Sequence, residues 1–226
     1  MQSLDRIRDR LVKARTAVAN QLRGLLAEYG VIIAKKIALL RREVPFILED
    51  AENQLTVVSR EFINALYQEL LFFDEKIARN ETKAQALLSQ NDNYHRLQTI
   101  PGIGPIVGRG IICSVNDAKQ FKNGRQMAAW IGITPKQHAS GELSRMGGIS
   151  KRGNQTLRKQ LIHGARAVVR WSEGKDDNLS LWLQKLLKTK PKAKVIVALA
   201  NKIARIAWAV LSKKQNYNPA VFATVC

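Results

Sequence analysis

Apolar residues recur at steps of three and four along the start of the chain: Leu4, Ile7, Leu11, Ala14, Val18, Leu22 and Leu25. That spacing places them on one face of an α-helix of about seven turns, with Gly30 positioned to stop it. Residues 31–43 predict a second, shorter and basic helix. Pro45 predicts its end and the first turn of the next. From Phe46 to Leu88 the stripe Leu55, Val58, Phe62, Leu66, Phe73 and Ile77 predicts one long helix, with Glu and Lys on its other faces. Unbroken, it would span roughly 60 Å. Such a helix suits a helical hairpin or coiled-coil arm partnered by the first helix. It suits the core of a helical bundle equally well.

The polar run QNDNY, residues 90–94, predicts a domain boundary. It separates a helical, oligomerising region, 1–93, from a C-terminal domain, 94–226. Beyond it, glycines cluster and the pattern becomes short helices joined by glycine turns. Helices are predicted at about 154–171, 179–188 and 191–213, with a loop at 172–178. Alternating runs of strand length are nearly absent, so the fold class is mainly α.

Charge sharpens this picture. The 226 residues carry 37 Lys+Arg against 18 Asp+Glu, a net +19. Such a surplus repels itself in a compact fold unless a polyanion is near, and nucleic acid is the commonest one. The surplus is uneven. Residues 1–43 hold ten basic and four acidic residues, 44–93 hold four and nine, and 119–214 hold 21 and four. The polyanion face therefore belongs to the C-terminal half, and the acidic middle suits a protein partner. A membrane partner is disfavoured, because the apolar stretch from Val195 to Leu211 is interrupted by Asn201, Lys202 and Arg205. The mixed-charge start MQSLDRIRDR has no apolar signal core. Cys113 and Cys226 lack metal-ligand spacing and read as reduced thiols, so a cytoplasmic location is expected.

Three motifs carry candidate chemistry. In LQTIPGIGPIVG, Pro101-Gly102-Ile103-Gly104 lies between two apolar helical stretches, the pattern of a helix-hairpin-helix element. Gly102 and Gly104 would let the backbone turn and approach a phosphate, and the next helix would offer it free N–H groups. Such contacts position DNA without reading sequence. Next, the stretch from Gly132 to Leu161 reads as a serine-bearing loop (Ser140, Ser144, Ser150) with a basic cluster that leads into a helix capped by Asn154. Lys151, Arg152, Arg158 and Lys159 would surround a phosphate at that helix start. A serine hydroxyl can attack a phosphodiester held by cations, and Gly141 leaves Ser140 unobstructed, but a loop serine is more often a turn or cap residue. Third, Lys185, Lys188, Lys190, Lys192 and Lys194 flank Pro191 and suit backbone contacts to nucleic acid. A two-metal nuclease needs converging carboxylates; none is expected here, because the acidic residues concentrate on the long helix. His95, His138 and His163 are scattered. His138 could assist proton transfer at Ser140, although a solvent-facing role is the simpler one.

The order LQTIPGIGPIVG, AAWIGITPKQHASGE and GGISKRGNQTLRKQLIHGARA resembles the C-terminal transposase domain of the DEDD/serine insertion-sequence transposases. These are the IS-one-hundred-and-ten class, also described as bridge-RNA-guided recombinases. The resemblance covers nearly the whole chain. It implies a coiled-coil region, a serine nucleophile forming a covalent protein–DNA link, homo-oligomers, double-stranded DNA as substrate and, in many members, a structured guide RNA. By the Ser-Gly of the motif, the nucleophile implied is Ser140, with Ser150 to Asn154 on the DNA-facing surface. It implies Mg²⁺ only in a RuvC-like DEDD domain that would lie before Met1, and no cofactor in this chain. The expectation is a truncated transposase that binds DNA through residues 97–214. A non-catalytic DNA-binding or inhibitory module is the alternative, and a junction-binding repair factor a weaker third.

Overall fold

The computed structural model describes residues 2–140 and 143–220, with side chains at 3–137 and 145–220. It is mainly helical and divides into two compact units, Met1–Ala86 and Leu87–Cys226.

The first unit contains α1 (Gln2–Glu28), α2 (Ile37–Glu49) and α3 (Val57–Leu88), the last of which runs on past the unit's end. Leu22, Leu26, Leu40, Val44, Ile63 and Leu70 fill its core. α1 and α3 run antiparallel, and their polar pairs keep one register. Arg8 meets Glu81, Arg15 meets Asp74, and the hydroxyls of Tyr29 and Ser59 lie 2.5 Å apart. The first helix ends at Gly30, φ +76, as expected.

Two boundaries differ from expectation. Pro45 sits inside α2 rather than ending it. A helical proline cannot donate to the carbonyl four residues back, here that of Arg41, and the Tyr67 hydroxyl of α3 donates to that oxygen instead at 3.0 Å. The long helix begins at Val57, not Phe46, because residues 50–56 form a built break. Arg60 donates to the carbonyls of Ile47, Leu48 and Asp50, capping the end of α2, and the Thr56 hydroxyl accepts from Ser59 N at the start of α3.

The second unit contains α4 (Asp92–Gln98), α5 (Pro105–Ser114), a 3-10 turn (Ala118–Gln120), α6 (Gly124–Ile131), a β-hairpin, α7 (Gln155–Arg170), α8 (Asn178–Thr189) and α9 (Lys192–Lys213). α9 packs against α4, α6, α7 and α8, and Leu199, Ala200, Ile203, Ala204 and Ala207 are buried along it. It is long and apolar enough to cross a membrane, yet 61% of its most apolar stretch is buried within the fold. Its interrupting Lys202 is buried too, the ammonium 4.7 Å from the centre of the Trp182 ring. Gly124 lets α6 start against the backbone of Arg205, which a Cβ would meet at 2.9 Å.

The hairpin is the main departure from the sequence expectation. The serine-bearing stretch is not a loop but two antiparallel strands, β1 (Pro135–Ser140) and β2 (Leu143–Ile149). Gln137 pairs with Met146, His138 with Arg145 and Ser140 with Leu143, with a bulge next to Pro135.

Candidate nucleic-acid interface

α4 opens on Asn91, whose side chain accepts from Tyr94 N at 3.0 Å. The turn from Thr99 to Gly104 follows, pinned by the buried Ile100 and Ile103. The two glycines of this turn do different work. Gly102 has φ +90, and a Cβ there would lie 3.0–3.2 Å from Ile203, Val168 and Gly164. A Cβ on Gly164 would meet the Gly102 carbonyl at 2.0 Å. Gly102 therefore faces inward, where it closes the turn and lets it press on α7. Gly104 is exposed with open space around it, and it opens α5 with Pro105 in the first turn. No side chain caps this helix start. Of the two expected phosphate contacts, Gly104 alone has the position for an approaching backbone.

The hairpin is fastened at its base. Ser150 N donates to the Thr134 carbonyl and Lys151 N to that of Gly132, so the ladder continues below the strands. Gly132 (φ +81) and Gly153 (φ +89) permit a backbone crossing that side chains would block. A Cβ on Gly132 would lie 1.8 Å from the Arg152 carbonyl oxygen, and one on Gly153 would lie 1.9 Å from that of Trp130. Lys151 holds φ 55, a costly conformation for a lysine. Asn154 then caps α7 by accepting from Leu157 N at 3.1 Å, as expected, and donates to Ser114 Oγ at the end of α5. The run SKRGN is thus the joint between hairpin, α5 and α7.

Arg158 is placed otherwise than expected. Its side chain is 9% exposed, and Nη1 donates to the carbonyls of Ile131 (3.0 Å) and Arg152 (3.3 Å). It braces the joint rather than facing solvent. Lys151, Arg152 and Lys159 are exposed. Lys185, Lys188, Lys190, Lys192 and Lys194 are exposed as well. Ser140 ends β1 at the tip of the hairpin; its side chain and that of His138 lie outside the described residues.

One feature escaped the sequence reading. Lys159, His163, Arg166 and Arg170 are all exposed on α7 at steps of four, three and four, which makes a basic stripe along one helix face. The stretch RKQLIHGARAVVR carries that signal, masked by the apolar positions between. Ion pairs join residues of the first unit and, within α4, Arg96 to Asp92. Lys151, Arg152, Lys159, Arg166 and Arg170 take part in none.

Acidic groups offer little to a metal. Among the described residues no three His, Cys, Asp or Glu side chains form a metal-holding group. Asp177 is engaged at the start of α8: a hydrogen bond from the Ser180 hydroxyl, aided by backbone N–H groups, holds its carboxyl below the usual range.

Beside the 99–104 turn lies an open cleft of about 540 Å³, bordered by α7, the start of α8 and residues 217–219. Tyr217 N donates to the Thr99 hydroxyl at 2.9 Å, tying that segment to the turn. Burial, with the Asp177 carboxylate nearby, pushes the Tyr217 phenol above its usual range.

Residues 94–179, which include the turn, the hairpin and α7, match the family model described as Transposase IS116/IS110/IS902 family. The transposase of insertion sequence element IS1111A from Coxiella burnetii is 44% identical over 217 residues, covering 96% of this chain and 60% of that protein. A family 20 transposase of Pseudomonas aeruginosa is 46% identical over 224 residues, covering 97% of this chain and 65% of that protein. A pilin gene-inverting protein of Moraxella bovis is 26% identical over 133 residues, 58% of this chain and 40% of its own. The chain spans less than two thirds of the length of these curated relatives. The chain is thus similar to insertion-sequence transposases over nearly its whole length, and its residues 94–179 match the model of the IS116/IS110/IS902 family.

Proposed function

We propose that this chain is the DNA-engaging part of an insertion-sequence recombinase, in which the β-hairpin presents Ser140 to a phosphodiester held by the basic joint at the start of α7. The observation that carries the reading is the set of exposed cations, Lys151 and Arg152 in the joint and Lys159, Arg166 and Arg170 along the helix that leaves it, left without carboxylate partners among the described residues. Phosphate oxygens are the natural complement of such a set. The α5 N-terminus at Gly104 adds uncapped amides, the helix-hairpin-helix contact to a second phosphate.

In this reading the Ser140 hydroxyl oxygen bonds to phosphorus, and one strand oxygen leaves with the electrons of the broken P–O bond. The hydroxyl proton is lost and the leaving oxygen gains one. The bond energy stays in a protein–DNA phosphodiester, which the reverse attack by a strand hydroxyl can reseal. That economy suits rearrangement of DNA, and the Moraxella relative is named for inverting a gene. No step is routed through Mg²⁺. Arg158 acts as a positioning residue, and so does Gly102.

The test is duplex binding by Lys151→Gln/Arg152→Gln, followed by fluorescence anisotropy. Loss of two phosphate contacts lowers affinity and makes the dependence of log K on log salt shallower by about two. Unchanged affinity and slope would remove the joint from the interface.

A second reading has its own support. Val58, Phe62, Ala65, Glu69 and Phe72 are exposed on α3 at steps of four and three, with Phe62 66% and Phe72 51% exposed. That is the spacing of a coiled-coil seam, and it suits a module that oligomerises on DNA without cutting it. Ser140→Ala separates the two: it abolishes a covalent DNA adduct in the first reading and changes nothing in the second.

A further inference from the structure

The cleft beside the 99–104 turn is not used by the reading above, which needs only the joint and the hairpin. Its floor is apolar, formed by Val168, Leu179 and the turn at Pro101 and Gly102. Its volume, about 540 Å³, falls in the roughly 300–1,000 Å³ range of small-molecule sites. Trp171 stands at its edge, 66% exposed, an unusual exposure for the largest apolar side chain. The Arg170 guanidinium lies 5.6 Å from the centre of that indole. Lys175 also lines the cleft, as does Asp177, whose carboxylate is taken up by the N–H and hydroxyl of Ser180 at the start of α8.

This pairs an aromatic platform with apolar walls and a cationic border. A phosphate alone needs no platform, and an apolar peptide gains nothing from the cations. A nucleotide needs both, because its base is a flat ring with apolar faces and its backbone is an anion. A base stacked within a duplex has no free face to offer, so the occupant must be unpaired. We infer that the cleft between the 99–104 turn, the end of α7 and the start of α8 receives an unstacked base of a nucleic-acid strand on Trp171, with the adjoining phosphate held by Arg170 and Lys175. The inference rests on the nucleic-acid reading proposed above. It adds a single-strand site at the end of α7, away from the serine.

The test measures the unaltered chain, Trp171→Ala and Trp171→Phe against a labelled oligothymidine, the same strand made abasic, and a fully paired duplex. The indole is largely in solvent, so both variants fold. Stacking on one aromatic ring sets the expected loss for Trp171→Ala at about tenfold on oligothymidine. Trp171→Phe retains most of the affinity, and duplex affinity is unchanged in both. The abasic strand binds all three proteins alike, and oligothymidine quenches tryptophan fluorescence in the unaltered chain but much less in Trp171→Phe. Equal oligothymidine affinity in Trp171→Ala, with duplex binding intact, would overturn this inference alone. Equal quenching by the abasic strand would do the same. Failure of the unaltered chain to bind either strand or duplex would overturn the nucleic-acid reading and this inference together.

Discussion

At the scale of single residues, the candidate site depends on a few positions that tolerate no neighbours. Gly132 and Gly153 stand where the backbone before the hairpin crosses the backbone after it, both at positive φ. Gly153→Ala adds a left-handed strain of about 1–3 kcal/mol to an overlap with the Trp130 carbonyl. The expected outcome is a loss of stability of at least about 2 kcal/mol in urea unfolding, with duplex binding lost at the same time. Arg158→Met keeps the length of the side chain but removes the donors to Ile131 and Arg152. It should cost about 1.5–3 kcal/mol and weaken DNA binding without touching a solvent-facing cation. In the first unit, Asp74 faces burial, which works against ionisation, but hydrogen bonds from Arg41 and Arg15 outweigh it and hold the carboxyl below its usual range. A depressed folded-state pKa contributes stability above the unfolded value, about 3.9, and loses it as pH falls through the folded one. Asp74→Asn should therefore be less stable at neutral pH and lose less on acidification below about pH 4. Equal pH slopes for the two proteins would contradict that account.

At the scale of elements, local signals explain the successes and the misses. Helices α7, α8 and α9 lie where apolar periodicity and caps placed them, because Asn154 and Pro191 mark their starts and a continuous core rewards the pattern. The α1 stripe was legible, although the core selects Ala19 and Leu26 in place of Ala14 and Leu25, as a straight helix drifts against a heptad count. Pro45 misled, since the Tyr67 hydroxyl that rescues the Arg41 carbonyl comes from another helix. Tyr67→Phe tests this, with an expected cost of about 0.5–1.5 kcal/mol in thermal or urea unfolding. The hairpin was illegible by composition: PKQHAS and LSRMGGI show no alternation of apolar and polar residues, and Met146 is 65% exposed. Ser140-Gly141-Glu142 between two strand-length runs was the one available turn signal. A two-stranded hairpin is marginal on its own, which suits the proposed arm that DNA would complete. The exposure of Gly104, Lys151, Arg152 and Lys159 and the cap at Asn154 were legible in the sequence because caps and exposed charge are local. The inward turn of Gly102 and the burial of Arg158 depend on α7 and α9 and could not. On α3, Phe62→Glu should shift the chain towards monomer in sedimentation, whereas an unchanged mass would remove the exposed seam from assembly.

At the scale of the whole molecule, the two units divide the chemistry by charge. In the first unit, ion pairs from Arg8 to Glu81 and from Arg15 and Arg41 to Asp74 join its helices, and in the second the exposed Lys151, Arg152, Lys159, Arg166 and Arg170 have no carboxylate partner among the described residues. The proposed function places oligomerisation and DNA engagement on different stretches of one chain. This division makes the most direct test simple: the affinity of the chain for duplex DNA as a function of salt. Neutralising five or more phosphates predicts that log K falls linearly with log salt with a slope of about −4.5 or steeper. A slope near zero, or binding equally tight at high and low salt, would contradict the account of this chain as a DNA-engaging transposase part.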